Sequence, residues 1–237
     1  MSSTRQARST SPNYQRVGSY QWDLDNPQGY ANRIGRYRTD VESRFLFDHI
    51  GPDPQRILDM GGGSGRFGGE LAFRGHDVTL IDMNPHAIAL AQQRGIQRTR
   101  VCDICDFDEA GFDGVVCMEV VEYFEKCDTV FSKAAQSLKT GGTFVFCVTN
   151  SQSWRFRLRK LKANTGNVHA FSIDEIERSL AAHSFKTVER KGFQWSLAQT
   201  GSDSRILNAT AWLERGLGLQ NWLSQSPWLL YACLKSS

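Results

Sequence analysis

Short apolar runs alternate with segments of helical periodicity along most of the chain. Runs typical of β-strands occur at 56–60, 77–82, 98–102, 112–118 and 143–149, and a further apolar run lies at 228–234. The first run ends in a cluster of glycines, and the fifth is entered through Gly141 and Gly142. We predict a strand at each of these runs.

The segments between the strands carry recognisable helix ends. Asn84 is a suitable N-cap for a helix with Pro85 at its first position, and Gly95 is placed to end that helix. Ser172 and Glu175 have the spacing of a capping box ahead of another amphipathic segment. Strands that alternate with helices favour a doubly wound α/β fold with a mostly parallel sheet. Ligands of such sheets bind beyond the carboxyl ends of the strands, where the strand order reverses.

Composition limits the classes of protein that this sequence can encode. The chain has 237 residues, 40% of them apolar, which suits a single domain from residue 20 onward. Residues 1–19 are rich in Ser, Thr, Arg and Gln and predict a flexible tail. Lys and Arg exceed Asp and Glu by 28 to 25, too small a charge to argue for nucleic acid. Six irregularly spaced cysteines and the lack of a signal-like or membrane-spanning run predict a cytoplasmic location.

The most informative motif is Asp59-Met60-Gly61-Gly62-Gly63-Ser64-Gly65, directly after the first predicted strand. Glycines let the backbone turn sharply and approach a bound nucleoside, because no Cβ intervenes. Asp59 can accept hydrogen bonds from an ammonium group but would repel a phosphate. Asp82 ends the second predicted strand, where a carboxylate can accept hydrogen bonds from both ribose hydroxyls.

Two neighbouring segments complete a nucleoside site, although a second interpretation of the loop exists. Met83 offers an apolar surface to an adenine, and Asp103 and Ile104 follow the third predicted strand, where they could contact its amino group and its other face. Gly63–Gly68 also satisfies G-x-G-x-x-G, the dinucleotide-binding pattern. An NAD-dependent oxidoreductase is therefore an alternative, against which the acid at Asp59 counts.

Several motifs in order resemble class I S-adenosylmethionine-dependent methyltransferases. The glycine motif within Ile57–Leu71 resembles the first motif of that family, and Leu80–Met83 resembles the second. Phe112–Phe124 is similar to the fourth, Leu138–Val148 to the entry into strand five, and His169–Ser172 to a segment of the small-molecule members, so that the resemblance covers about residues 30–195. The ubiquinone-biosynthesis O-methyltransferases are the most similar group. They usually have His where this chain has Tyr123. This difference argues against assigning their substrate or a metal requirement to this chain.

The resemblance implies a Rossmann-like seven-stranded sheet, mostly parallel with an antiparallel last strand, and S-adenosylmethionine as the cofactor. It implies methyl transfer to a small-molecule or lipid-like acceptor, at oxygen in the first instance. The region of Tyr37 and Arg38, which precedes the first strand by about one helix, is expected to close over the cofactor, with Tyr37 or Arg38 meeting its carboxylate. Plain helix packing is the alternative. The expected cofactor-binding residues are Tyr37, Asp59, Gly61, Gly63, Gly65, Asp82, Met83, Asp103, Ile104 and Met118. A catalytically silent relative that serves as a scaffold is the third interpretation.

Catalysis of methyl transfer can come largely from positioning, because the reaction is an in-line displacement. A hydroxyl acceptor would still benefit from a general base, and the candidates are His169, Glu119 and Tyr123. A structural hydrogen bond is the alternative role for His169. Cys102 and Cys105 have metal-like spacing, but no second close pair completes a ligand set, so no metal site is predicted.

Two segments lie outside the common pattern. Trp154–Lys162 alternates basic and apolar residues, which indicates either a solvated helix face or contact with an anionic headgroup, a phosphorylated substrate or a membrane surface, for which Arg155–Lys162 are the candidates. The stretch 195–227 is longer than a simple turn, and its apolar positions predict a helical lid. The acceptor, the methylated atom and the oligomeric state are left open by the sequence.

Overall fold

The computed structural model describes residues 31–161, 169–196 and 206–237, and these form one seven-stranded sheet. The strands are β1 (Arg56–Met60), β2 (Asp77–Asp82), β3 (Arg98–Val101), β4 (Phe112–Cys117), β5 (Leu138–Thr149), β6 (Phe185–Phe193) and β7 (Trp228–Lys235). Their spatial order is β3-β2-β1-β4-β5-β7-β6. The first five strands run parallel to their neighbours, whereas β7 is antiparallel to both β5 and β6. The predicted doubly wound sheet with an antiparallel last strand is confirmed.

Helices connect the strands and cover both faces of the sheet. In the described ranges they are α1 (Arg33–His49), α2 (Gly68–Phe73), α3 (Pro85–Gln93), α4 (Cys127–Ser137), α5 (Trp154–Leu161), α6 (Ile173–Ala182) and α7 (Ile206–Gly216). The Asn84 side chain accepts hydrogen bonds from the backbone N–H groups of His86 and Ala87, which caps α3. Ser172 and Glu175 form the predicted capping box at the start of α6.

Two hydrophobic clusters hold the helices against the sheet. On one face, Phe131 of α4 packs against Phe144 and Phe146 of β5, with ring centres 5.7 and 4.8 Å apart. On the other face, Phe45 and Leu46 of α1 belong to a cluster with buried residues of β1, β4 and β5. Because both faces of the central strands are covered, these strands are apolar throughout, as their sequences predict.

The observed elements differ from the predicted ones in extent. β5 begins at Leu138 instead of 143, and its register with β4 shifts between Phe112 and Gly114. Gly141, with φ of 79°, allows the extra residues to stay in the strand. The predicted lid, 195–227, contains α7 and a short 3₁₀ turn at 219–221, while 197–205 lie outside the described residues.

Two further expectations concern the tail and the membrane. The predicted tail, 1–19, falls outside the part of the chain that the structure describes. No helix within the described part is both long enough and apolar enough to span a membrane. The division into a tail, one domain and a lid stays a prediction.

Candidate functional site

A cleft opens at the carboxyl ends of β1, β2 and β4, where the strand order reverses. Its empty volume, which includes space open to solvent, is about 810 Å³, within the range of small-molecule sites. The residues that line it are Asp59, Gly61, Gly62, Gly63, Ser64, Arg66, Phe67, Asp82, Met83, Cys102, Ile104, Met118, Glu119, Val120, Tyr123 and Phe124.

The glycine loop follows β1 and forms the floor of this cleft. Gly61, Gly63 and Gly65 have φ values of 71°, 55° and 78°, a conformation that residues with a Cβ rarely adopt. A Cβ on Gly61 would lie 2.7 Å from Cγ2 of Val120, so a side chain there would clash with the opposite wall. The loop therefore keeps its backbone exposed to whatever the cleft binds.

Asp82 lies at the end of β2 with its carboxylate fixed by the backbone. Its Oδ2 accepts a hydrogen bond from the Gly63 N–H at 2.9 Å, and its Oδ1 accepts one from the Asn84 N–H at 2.8 Å. Burial raises the pKa of this carboxyl, and the two N–H groups oppose that rise. A carboxylate can accept about four hydrogen bonds, so two acceptor positions are left for a ligand.

The side chain of Asp59, near the end of β1, is buried against the first residue of α2. Its Oδ2 accepts a hydrogen bond from the Gly68 N–H at 3.0 Å, and burial raises the pKa of the carboxyl to about 7. Gly68 is the last glycine of the dinucleotide-like pattern, whose helix N-terminus binds pyrophosphate in dinucleotide-binding proteins. Here the Asp59 oxygen occupies that N–H, which is unfavourable for a pyrophosphate.

Glu119 follows β4 and joins two arginines at the edge of the cleft. Its two carboxylate oxygens lie 2.8 Å from Arg38 of α1 and 2.8 Å from Arg66 of the segment before α2. The backbone of Glu119 has φ of 59°, a strained conformation for a residue with a side chain. Arg66 also pairs with the fully buried Glu42 at 2.8 Å.

Two more carboxyl groups are buried beside this pair of arginines. Burial raises the pKa of Glu42 to about 7, with Arg66 opposing the rise. Burial raises the pKa of Glu122 to about 8, and nearby Glu119 adds to the rise. One oxygen of Glu122 has no hydrogen-bond partner among the described residues. Both groups can therefore hold a proton near neutral pH.

The cleft brings most of the predicted site residues together. Asp59, Gly61, Gly63, Asp82, Met83, Ile104, Met118, Glu119 and Tyr123 line it, whereas Tyr37, Gly65, Asp103 and His169 lie outside the lining set. Asp103 instead accepts a hydrogen bond from the Cys105 N–H at 2.8 Å, as a helix cap does. The backbone N–H of His169 donates to the Glu122 carbonyl at 2.7 Å, which places the backbone of His169 beside that of Glu122.

Tyr37 packs against the predicted lid segment. Its hydroxyl accepts a hydrogen bond from the Gln194 N–H at 3.3 Å and lies beside Glu214 of α7. The Glu214 carboxylate also accepts hydrogen bonds from the N–H groups of Gln194 and Trp195, at 3.2 and 3.1 Å. In this structure Tyr37 thus joins α1 to α7 and lies outside the residues that line the cleft. Its role toward the cofactor stays a prediction.

The basic segment is divided between interior and surface. Arg155 is only 8% exposed, whereas Arg157, Arg159 and Lys160 are exposed, and Lys162 lies outside the described residues. Burial corrects the expectation that Arg155 belongs to a surface patch that meets a membrane. No group of three or more His, Cys, Asp or Glu residues is placed to hold a metal ion within the described ranges.

Sequence reasoning missed the charged wall of the cleft. Arg66 and Glu42 bind each other across the α1 interface, and Phe67, Val120 and Phe124 add apolar surface. Arg66 lies within the glycine-rich pattern Gly63–Gly68, so its position beside the loop could be predicted from the sequence. The position of its partner Glu42 could not be predicted, because no local sequence pattern distinguishes a buried acidic residue of a helix from an exposed one.

This chain is similar to known methyltransferases. Residues 58–146 match the model of a methyltransferase domain. A ubiquinone biosynthesis O-methyltransferase from Xanthomonas oryzae pv. oryzae is 30% identical over 145 residues, which are 58% of this chain and 59% of that protein. The aligned part of the chain thus spans about three-fifths of the length of this curated relative.

Solved structures agree on the fold at low sequence identity. Geranyl diphosphate C-methyltransferase from Streptomyces coelicolor, in complex with geranyl diphosphate and S-adenosylhomocysteine, superposes with a TM-score of 0.64 at 17% identity, covering 96% of this chain and 100% of that one. N-methyltransferase NodS from Bradyrhizobium japonicum, in complex with S-adenosylhomocysteine, gives 0.63 at 20% identity, covering 94% and 98%. Residues 58–146 therefore form a methyltransferase domain, and the glycine loop, Asp82 and the sheet order resemble those of class I S-adenosylmethionine-dependent methyltransferases.

Proposed function

We propose that the chain binds S-adenosylmethionine in the cleft and transfers the methyl group to the oxygen of a small-molecule acceptor. The observation that carries this proposal is the Asp82 carboxylate, which two backbone N–H groups hold at 2.8 and 2.9 Å beside the glycine loop. A carboxylate fixed in this way is suited to accept hydrogen bonds from the two hydroxyls of a ribose.

The other cleft residues fit the remaining parts of this cofactor. Met83 and Ile104 line the cleft next to Asp82 and offer apolar surfaces to an adenine. The glycine loop and Asp59 lie toward β1, where backbone groups and a carboxyl can meet the methionine portion. Asp103, which caps a 3₁₀ turn through the Cys105 N–H, keeps acceptor capacity for the adenine amino group.

The cofactor, when bound, supplies a methyl group on a positively charged sulfur. The protein's part is to align the acceptor oxygen with that methyl group and to exclude water, since an in-line displacement needs little further chemistry. Glu119 and its two arginines fix the wall of the cleft, because both carboxylate oxygens are engaged by guanidinium groups. We assign the acceptance of the hydroxyl proton to His169, whose backbone is held beside Glu122, with Tyr123 orienting the acceptor.

The choice of oxygen is supported by the sequence relatives, which are named O-methyltransferases. Neighbours in structure methylate carbon and nitrogen according to their names, so the fold by itself does not select the atom. We also propose that the enzyme works in the cytoplasm. A peripheral membrane contact would use the exposed Arg157, Arg159 and Lys160 together with the exposed Trp212 and Trp222.

The test is calorimetric titration with S-adenosylmethionine, S-adenosylhomocysteine and NAD. We expect micromolar binding of the two adenosyl ligands to the unchanged protein and at least tenfold weaker binding to Asp82→Asn. Asp77→Asn is the matched control, because Asp77 starts the same strand on the surface and pairs with Arg98 at 2.9 Å. Binding of NAD alone would refute the proposal, and an Asp77→Asn variant as weak as Asp82→Asn would remove the assignment of Asp82.

A further inference from the structure

The backbone is strained where the chain leaves β6. Gln194, the first residue after this strand, is 3% exposed and has φ of 64°, a left-handed conformation that residues with a side chain seldom adopt. Such a conformation persists only where surrounding contacts hold it, and it is typical of functional regions. The contacts that hold Gln194 come from two helices, α7 and α1.

Glu214 of α7 makes the principal contact with this strand end. Its carboxylate accepts hydrogen bonds from the backbone N–H groups of Gln194 at 3.2 Å and Trp195 at 3.1 Å, and the residue is 5% exposed. The Tyr37 hydroxyl of α1 also accepts a hydrogen bond from the Gln194 N–H, at 3.3 Å. Burial and the neighbouring Glu214 carboxylate raise the pKa of this hydroxyl, so it keeps its proton and can donate to the carboxylate. Glu214 thus joins α7, the end of β6 and α1 at one point.

The turn of α1 that carries Tyr37 also supports the wall of the cofactor cleft. Arg38, the next residue, lies 2.8 Å from Glu119, and Glu42, one turn later, lies 2.8 Å from Arg66. Glu119 and Arg66 both line the cleft. Because a helix moves as a rigid element over one turn, a displacement of Tyr37 also displaces the two residues of α1 that form these ion pairs.

A second set of contacts connects the same strand end to Arg38. Phe193, the last residue of β6, packs with Trp228 of β7, and their ring centres are 6.2 Å apart. The Arg38 guanidinium lies over the Trp228 ring, 4.3 Å from its centre. The position of Arg38 therefore depends on the end of β6 as well as on α1.

We propose that Glu214 is a positioning residue for cofactor binding, which acts through Tyr37 and Gln194 on the Arg38–Glu119 pair in the wall of the cleft. Glu214 itself lies outside the residues that line the cleft. Coupling between two sites is reciprocal, so a bound cofactor also stabilises the contact of α7 with the rest of the protein. The inference rests on the proposed function and adds a residue outside the cleft on which the affinity for the cofactor depends.

Calorimetric titration of S-adenosylhomocysteine into Glu214→Gln tests the effect of α7 on the cleft. Glutamine keeps the shape of the side chain but replaces the charged acceptor of two N–H groups by a neutral one, so we expect binding about five- to twentyfold weaker than to the unchanged protein. Glu177→Gln is the matched control, because Glu177 joins α6 to earlier residues of the same strand, Thr187 at 3.0 Å and Arg190 at 2.9 Å. This control should bind the ligand as the unchanged protein does.

Amide hydrogen exchange measures the reciprocal effect of the cleft on α7. Saturation of the unchanged protein with S-adenosylhomocysteine is expected to slow the exchange of the α7 backbone N–H groups by at least about fivefold, and Glu214→Gln should remove most of this protection. Helix α6 is the internal reference, and its exchange should change less. A residue that only stabilises the fold would leave the ligand-dependent protection of α7 in place.

Tyr37→Phe tests whether Glu214 acts through Tyr37. The single substitution removes one acceptor of the Gln194 N–H and is expected to weaken the binding of S-adenosylhomocysteine severalfold. Combined with Glu214→Gln, it should weaken binding no further than the more damaging single substitution does, because residues that act through one contact are not additive. If Glu214→Gln does not fold, Tyr37→Phe and the exchange of α7 in the unchanged protein decide the question.

The outcomes distinguish this inference from the proposed function. Unchanged affinity in Glu214→Gln or in Tyr37→Phe, equal losses in Glu214→Gln and Glu177→Gln, additive losses in the double variant, or α7 exchange that does not respond to the ligand would overturn the inference while the cofactor site stands. Failure of the unchanged protein to bind S-adenosylhomocysteine would overturn the proposed function, and the inference with it.

Discussion

Replacing Glu122 by Gln is expected to make the protein more stable at alkaline pH. The Glu122 side chain is buried, one of its oxygens has no partner among the described residues, and nearby Glu119 disfavours its ionisation. Glutamine has nearly the same shape and never ionises. The substitution therefore removes the cost of a buried negative charge and leaves the packing in place.

The magnitude and its sign follow from the two pKa values. Glu122 has a pKa of about 8 in the folded protein, raised from an ordinary value of 4.5. Between these values the folded state keeps the proton that the unfolded state has released. The contribution to stability is thus complete below about pH 4.5 and falls by at most about 1.4 kcal/mol per pH unit until the pH passes 8. From pH 6 to pH 8 the unchanged protein should lose on the order of 2 kcal/mol relative to the variant.

Urea denaturation of both proteins at several pH values between 5 and 9 measures this difference. At pH 5 the two should agree within about 1 kcal/mol, because Glu122 is then neutral in the folded protein and only partly ionised in the unfolded one. At pH 6 the variant should already be more stable by about 2 kcal/mol. Glu125→Gln is the control, because Glu125 is exposed only three residues away and a surface substitution usually changes stability by less than about 0.5 kcal/mol. A variant that is less stable than the unchanged protein by the same amount at every pH would show that Glu122 is ionised and well paired in solution.

Further predictions concern α2 and α7. In Gly68→Ala the new Cβ would lie 2.7 Å from Oδ2 of Asp59, so we expect a loss of about 1–3 kcal/mol in urea denaturation and weaker S-adenosylhomocysteine binding. Gly69→Ala, whose new Cβ would lie 3.8 Å from Cβ of Arg94, should gain about 0.5–1 kcal/mol, and equal effects of the two substitutions would contradict the packing. Glu214→Gln should cost about 1–3 kcal/mol, because it weakens the acceptor of two backbone N–H groups, and an unchanged denaturation midpoint would contradict this contact.

The order of strands and helices was predictable because it depends on local patterns. A few consecutive residues determine each apolar run, the Asn84 cap and the Ser172–Glu175 capping box. Both caps are present in the structure. The extra residues of β5 were not predictable, because Leu138 joins the strand through pairing with Phe112 across a register shift. Such pairing depends on partners that are distant in the sequence.

The residues expected to bind the nucleoside were also predictable, because the glycine loop and Asp82 lie at the ends of predicted strands. The contact of the Tyr37 hydroxyl with the Gln194 N–H, beside Glu214 of α7, was not predictable, because its partners lie more than 150 residues away in the sequence. The role of Tyr37 at the cofactor stays a prediction. Arg155 belonged to a segment whose alternation indicated either a solvated helix face or contact with an anionic group, and neither alternative predicted its burial. Its burial depends on the end of β6, which no pattern within the helix reveals.

Several contacts between residues that are distant in the sequence meet at Glu119, whose backbone is strained. A left-handed conformation at a residue with a side chain costs about 1–3 kcal/mol and persists only where surrounding contacts compensate for it. Here the compensation comes from Arg38 of α1 and Arg66 beside the glycine loop, and from the Cys147 Sγ of β5, which accepts the Glu119 N–H at 3.0 Å. Glu119 thereby connects the cofactor loop, through Arg66 and Arg38, to α1. The shape of the cofactor cleft thus depends on one set of ion pairs, in which α1 supplies Arg38 and Glu42.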